Sequence, residues 1–156
     1  MIVIDVLALA KSAVLAAIPA VGFALLFNVP QKLLKHCAML GAVGVSSRLL
    51  LMHNGLSFEL GTLLAATLVG SIGIWLSPRV VAPPKAMTVA SVIPMLPGVY
   101  AFKSMTALVQ LNQTDFSPEL LAVLFDNFLT TMFVIGGLAL GLALPGLLFY
   151  RNKRIV

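Results

Sequence analysis

Apolar residues in this chain run almost unbroken over long stretches, and short polar turns separate the stretches. Five such runs occupy about residues 3–27, 37–53, 59–77, 86–110 and 118–149. Crossing the hydrocarbon core of a bilayer takes roughly 20 apolar residues in helix, so lipid is the expected solvent. The second run is the shortest and carries Arg48. The third, LGTLLAATLVGSIGIWL, is the cleanest, and the fourth contains IPMLPG in its middle. The pattern predicts an all-α integral membrane bundle of about five transmembrane helices forming a single domain over residues 1–156. Its fourth helix is expected to break at Pro94, Pro97 and Gly98.

The connections NVPQKLLKH, NGLS, SPRVVAPPK and LNQTDFSPE all hold turn residues. Ser117, Pro118 and Glu119 read as a helix start: a hydroxyl cap, a proline at the first position, then an acid. Charge sets the direction of the crossings. Lys32 and Lys35, then Arg79 and Lys85, then Arg151, Lys153 and Arg154 mark alternate ends. The other ends hold Asp5, a 53–58 loop without Lys or Arg, and Asp115. Basic ends stay in the cytoplasm, which predicts the N-terminus outside and the C-terminus inside. Trp75 and Tyr150 fall near the cytoplasmic ends, where interfacial aromatics gather.

Composition sharpens this picture. The chain is 60% hydrophobic and 10% charged, with a mean hydropathy of +1.08, far from a soluble domain. The net charge of +5 comes largely from the basic loops and the C-terminus, so no nucleic-acid partner is expected. The one cysteine, Cys37, excludes an intramolecular disulfide and reads as a small apolar residue. The first residues lack a basic n-region and their apolar run is too long for a signal peptide. Small residues (Ala13, Ala17, Ala20, Gly22 and Ala24 in the first run, Ala66 and Gly70 in the third, Gly137 and Gly141 in the fifth) are spaced for close helix contact.

Four charges fall inside the runs: Lys11, Arg48, Lys103 and Asp126. Each costs about 2.5–3.5 kcal/mol near the bilayer centre on insertion scales and must pair, reach an interface or line water. Counted from the outer ends, Lys11, Lys103 and Asp126 come roughly 10–12 Å deep and Arg48 roughly 8 Å. Lys103 and Asp126 are expected to pair, since they share a depth on consecutive segments. Lys11 and Arg48 would then hold an anionic solute, or alternatively snorkel to the outer headgroups. Asp126 is the candidate for a proton-coupling role. Pro94 and Pro97, followed by Gly98, leave carbonyls unpaired. Irregular backbone at that depth either lines a cavity or is a buried kink, and broken helices form solute sites in many transporters. His36 and His53 lie at opposite ends of the second run and cannot share a metal. Metal, cofactor and catalytic residues are not expected.

Gly22-Phe23-Ala24, Phe27-Asn28-Val29-Pro30, a second helix rich in small residues near Arg48, and Pro94-Met95-Leu96-Pro97-Gly98 resemble the threonine/serine exporter family. The likeness is to the small membrane subunit of its two-component type, over essentially the whole chain. It implies export of small carboxylate-bearing metabolites across the bacterial inner membrane: threonine and serine, or a dicarboxylate such as succinate. It also implies a larger membrane subunit as partner. Asn28, Pro30, Pro94, Pro97 and Gly98 match the family's motifs, whereas Lys11, Arg48, Lys103 and Asp126 come from the depth argument alone.

The leading expectation is a subunit of a secondary exporter. A structural or assembly subunit without its own solute site, and a homo-oligomeric channel, are the competing readings. Five crossings wall a polar path thinly, so association is expected, with the larger subunit or with further copies of this chain.

Overall fold

The computed structural model describes residues 6–113 and 117–150. Asp5, Asp115, Arg151, Lys153 and Arg154, on which part of the charge pattern rests, lie outside the described residues. The structure is all-helical: α1 (Val6–Leu26), α2 (Gln31–His53), α3 (Phe58–Val80), α4 (Pro84–Val92), a 3₁₀ turn (Ile93–Met95), α5 (Gly98–Gln113) and α6 (Pro118–Tyr150). Three helices, α1, α3 and α6, are each long and apolar enough to cross a membrane. Helices α4 and α5 make a fourth such unit, bent by 54°. By itself α2 falls short of that description. It begins at Gln31, ahead of the apolar run, and so carries Lys32, Lys35 and His36 in its first turns.

Local chemistry sets the helix ends. Asn28 takes a left-handed backbone (φ 57°), and the Val29 N–H donates back to the Ala24 carbonyl at 2.9 Å, which closes α1. Pro30 then precedes the first residue of α2. Ser57 caps α3 by accepting from the Leu60 N–H. Before α6 the Ser117 hydroxyl donates to the Glu119 carboxylate at 2.9 Å.

The core is made of small side chains at close approach. Ala16, Ala20 and Ala24 of α1, Ala65 and Ala66 of α3 and Ala90 of α4 are buried. A β-carbon on Gly41 of α2 would lie 2.7 Å from that of Ala20. Such contacts let dispersion hold helices together where lipid removes the hydrophobic drive. Between α2 and α4, the buried Ser91 hydroxyl donates to the carbonyls of Met87 (2.6 Å) and Cys37 (3.0 Å).

Helices α3 and α6 run parallel, and their register has a large consequence. β-Carbons placed on Gly137 and Gly141 would meet Leu63 (3.4 Å) and Ala66 (2.7 Å), and one on Gly70 would meet Pro145 (3.2 Å). The start of α3 is therefore level with the middle of α6. Residues 118–131 of α6, roughly 20 Å of helix, extend past the start of α3. Helix α5 packs extensively on α6 alone. Together they form a helical arm that prolongs the bundle.

Candidate functional site

The fourth run breaks as the sequence predicts, and Arg48 is at the break. Pro94 has no N–H to return to α4, and the chain tightens into the 3₁₀ turn, with the Leu96 N–H donating to Ile93 at 3.0 Å. Leu96 is extended (φ −60°, ψ 142°), Pro97 is buried, and α5 starts at Gly98. Met95 is fully buried at the level of Gly44 and Val69; a β-carbon on Gly44 would touch its sulfur at 3.0 Å.

Side chains on a helix lean toward its N-terminus, so Arg48 points down α2, away from the nearer end. Its Nη1 donates to the Met95 carbonyl at 2.8 Å. Its guanidinium lies 5.0 Å from the centre of the Phe58 ring, within cation–π range. Phe58 in turn stands 5.2 Å from Tyr100, the third residue of α5. The Arg48 Nε is buried and has no hydrogen-bond partner. A guanidinium thus sits between α2, the start of α3 and the broken helix, with one donor committed to the backbone and another free. Planar donors of this kind match a carboxylate in two-point contact.

The structure does not gather the other charges around Arg48. Arg48 is level with Gly61, where a β-carbon would approach its backbone oxygen at 3.7 Å. Asp126 lies eleven residues before Gly137, roughly 16 Å from it along α6, and so past the start of α3. Lys103 belongs to the same arm on α5. Both side chains are exposed, and the expected Lys103–Asp126 ion pair does not form; among the described residues there is no salt bridge between them. Depth counted from each segment's own end placed them beside Arg48, because that count assumes all segments end at one level. The stagger of α6 against α3 removes the assumption. Lys11 is exposed on α1. Neither Phe58 and Tyr100 around the guanidinium nor the Ser91 link was marked by any sequence motif.

Two further features frame the site. An apolar groove of about 840 Å³ separates α4 from α6, with Gly70, Thr88, Ala139 and Ala143 in its walls and Lys85 at one end. Polar groups buried in the arm satisfy themselves: Asn127 Nδ2 donates to Val123 at 2.6 Å, and the Thr131 hydroxyl to Asn127 at 2.7 Å. Among the described residues no cluster of His, Cys, Asp and Glu could hold a metal ion.

Residues 12–148 match the model of a family described as Threonine/Serine exporter, ThrE. The chain belongs to the threonine/serine exporter family. The match includes Asn28, Pro30, Arg48, the broken helix, Lys103 and Asp126, and begins one residue after Lys11. A protein of Haemophilus influenzae described as uncharacterized is 48% identical over 155 residues, which is 99% of this chain and 52% of that relative. The chain therefore spans about half the length of this curated relative. No solved structure matches it. Membership in this exporter family, with α1, α3, α6 and the bent pair, makes this a multi-pass membrane protein.

Proposed function

We propose that this chain is one subunit of a bacterial inner-membrane exporter of small carboxylate-bearing metabolites, and that solute passes the broken fourth helix at Arg48. The observation that carries the reading is the Arg48 guanidinium turned onto the Met95 carbonyl, with Nε buried and unpartnered. A solute carboxylate accepts from Nε and competes with Met95 for the remaining donors. Releasing the carbonyl frees the Pro94–Gly98 segment, where α4 and α5 already meet at 54°. Substrates are threonine and serine, as the family's name suggests, or a dicarboxylate such as succinate, which the guanidinium would hold by one of its two carboxylates. The segments run with the N-terminus outside, so Arg48 serves the outer half of the path.

The arm supports a larger membrane subunit as partner. Helix α6 is 33 residues, about 50 Å long, against a hydrocarbon core of about 30 Å. Val99, Phe102 and Met105 of α5, with Phe125 and Phe133 of α6, are exposed along the arm. Where the arm outruns lipid, a second protein surface covers these side chains. The relative of twice the length has chain enough to supply one.

A second reading, an assembly subunit without its own solute site, draws on the same contacts: Met95 already occupies Arg48, and the arm is built to be covered. Efflux of labelled succinate, threonine and serine from proteoliposomes separates the two. Liposomes hold this chain, a co-purified larger subunit, or both. Efflux that needs both chains, and is lost in Arg48→Ala without loss of assembly, supports a shared path. Full-rate efflux from the larger subunit alone makes this chain an accessory. Leak through this chain alone makes it a channel.

A further inference from the structure

A separate cavity lies at the other end of the bundle from the start of α3. It has a volume of about 450 Å³ and is lined by Gln31, Lys32, Leu33, Lys35 and His36 of α2 with Val80 from the end of α3. Lys32, Lys35 and His36 fall at i, i+3 and i+4, hence on one face of the helix. The His36 Nδ1 is buried and has no hydrogen-bond partner.

None of the described acids serves the cavity. The described acids are Glu59, in the first turn of α3, Glu119, in the first turn of α6, and Asp126 on the arm, all at the opposite end. Of the other cations at the basic end, Arg79 lies over the Trp75 ring at 3.2 Å and Lys85 faces the separate α4–α6 groove. Lys32 and Lys35 form no salt bridge among the described residues. Two ammonium groups and an imidazole thus share one concavity, and none of the described residues supplies its counter-charge.

We propose that this cavity binds a phosphate-bearing anion through Lys32, Lys35 and His36. Gln31 adds an amide donor. Leu33 and Val80 give the cavity an apolar wall, which suits the glycerol carbons next to the phosphate of an acidic phospholipid; a free phosphate would use the polar wall only. Basic pockets between spanning helices recognise acidic headgroups by this chemistry. The site is independent of the solute reading, since it involves neither Arg48 nor the broken helix.

The test uses the full chain in nanodiscs of phosphatidylcholine with a minor share of phosphatidylglycerol, and counts retained acidic lipid by native mass spectrometry. The Lys32→Gln/Lys35→Gln variant is expected to retain acidic lipid about thirtyfold less well, at roughly fivefold per ammonium. Arg79→Gln/Lys85→Gln, which loses equal charge at the same end, is expected to stay within a fewfold of the parent. Lys32→Arg/Lys35→Arg should restore retention, which separates loss of the site from loss of folding. In phosphatidylcholine alone, inorganic phosphate is titrated. Lysine-dependent phosphate binding without lipid retention assigns the site to a soluble anion. Equal loss in both glutamine variants, or no loss of either ligand in Lys32→Gln/Lys35→Gln, overturns the proposal.

Discussion

Replacing Arg48 tests the link between fold and transport most directly, because two substitutions divide its roles. Arg48→Ala removes a charge-assisted hydrogen bond, worth about 1.5–3 kcal/mol, and a cation–π contact worth about 0.5–1 kcal/mol or more. It leaves the buried Met95 carbonyl without its 2.8 Å partner. Opposing this, the guanidinium no longer has to be held within the apolar segment, which recovers a fraction of the roughly 2.5–3.5 kcal/mol charged at the bilayer centre. The net expectation is a loss of about 1–3 kcal/mol. Trp75 is the single tryptophan, so its fluorescence reports unfolding in mixed micelles of dodecylmaltoside and SDS. Arg48→Lys keeps the charge and one donor for Met95 but loses the planar fork. Its stability should fall by less than about 1 kcal/mol, while KM for efflux rises about tenfold, the equivalent of one charged hydrogen bond. A lysine variant with unchanged KM would refute two-point carboxylate recognition. An alanine variant as stable as the parent would refute the claim that Arg48 holds the break.

Other positions give separable outcomes. A β-carbon on Gly141 would come 2.7 Å from the Leu63 carbonyl oxygen, so Gly141→Ala should push α3 from α6 and cost about 1–3 kcal/mol in the same unfolding assay. Val81 is a β-branched residue with left-handed backbone (φ 51°) and is almost fully exposed, so Val81→Gly should stabilise the α3–α4 turn by about 1 kcal/mol. Pro97→Ala returns a backbone donor to the break and should slow efflux while leaving stability unchanged or improved. Asp126→Asn should leave KM unchanged, since Asp126 lies far along α6 from Arg48. Efflux that keeps its pH dependence in this variant would exclude Asp126 as the proton carrier.

The break in the fourth helix was legible because Pro94 and Pro97 act on the backbone locally: a missing N–H unpairs a carbonyl whatever surrounds it. Asn28 and Pro30 were legible as turn chemistry for the same reason. The partner of the freed carbonyl was not. Arg48 and Met95 are 47 residues apart, and no spacing rule relates residues of α2 to the middle of another helix. The same limit applies to the charges on the arm. Run lengths set roughly how long most helices are but not where a neighbour begins, and α2 starts six residues ahead of its run.

Taken alone, the sequence determined the solvent, the all-helical class, the approximate helix bounds and the place of the break. These follow from hydropathy and from the backbone limits of proline, which act over a few residues. Tertiary structure decided which charge meets the break, that Lys103 and Asp126 do not pair, and that three basic side chains share one cavity. Those outcomes depend on helix register. Small residues set that register by close contact, with Leu63, Ala66 and Gly70 against Gly137, Gly141 and Pro145. Many registers would satisfy the same hydropathy pattern, and only side-chain shape across the α3–α6 contact selects among them.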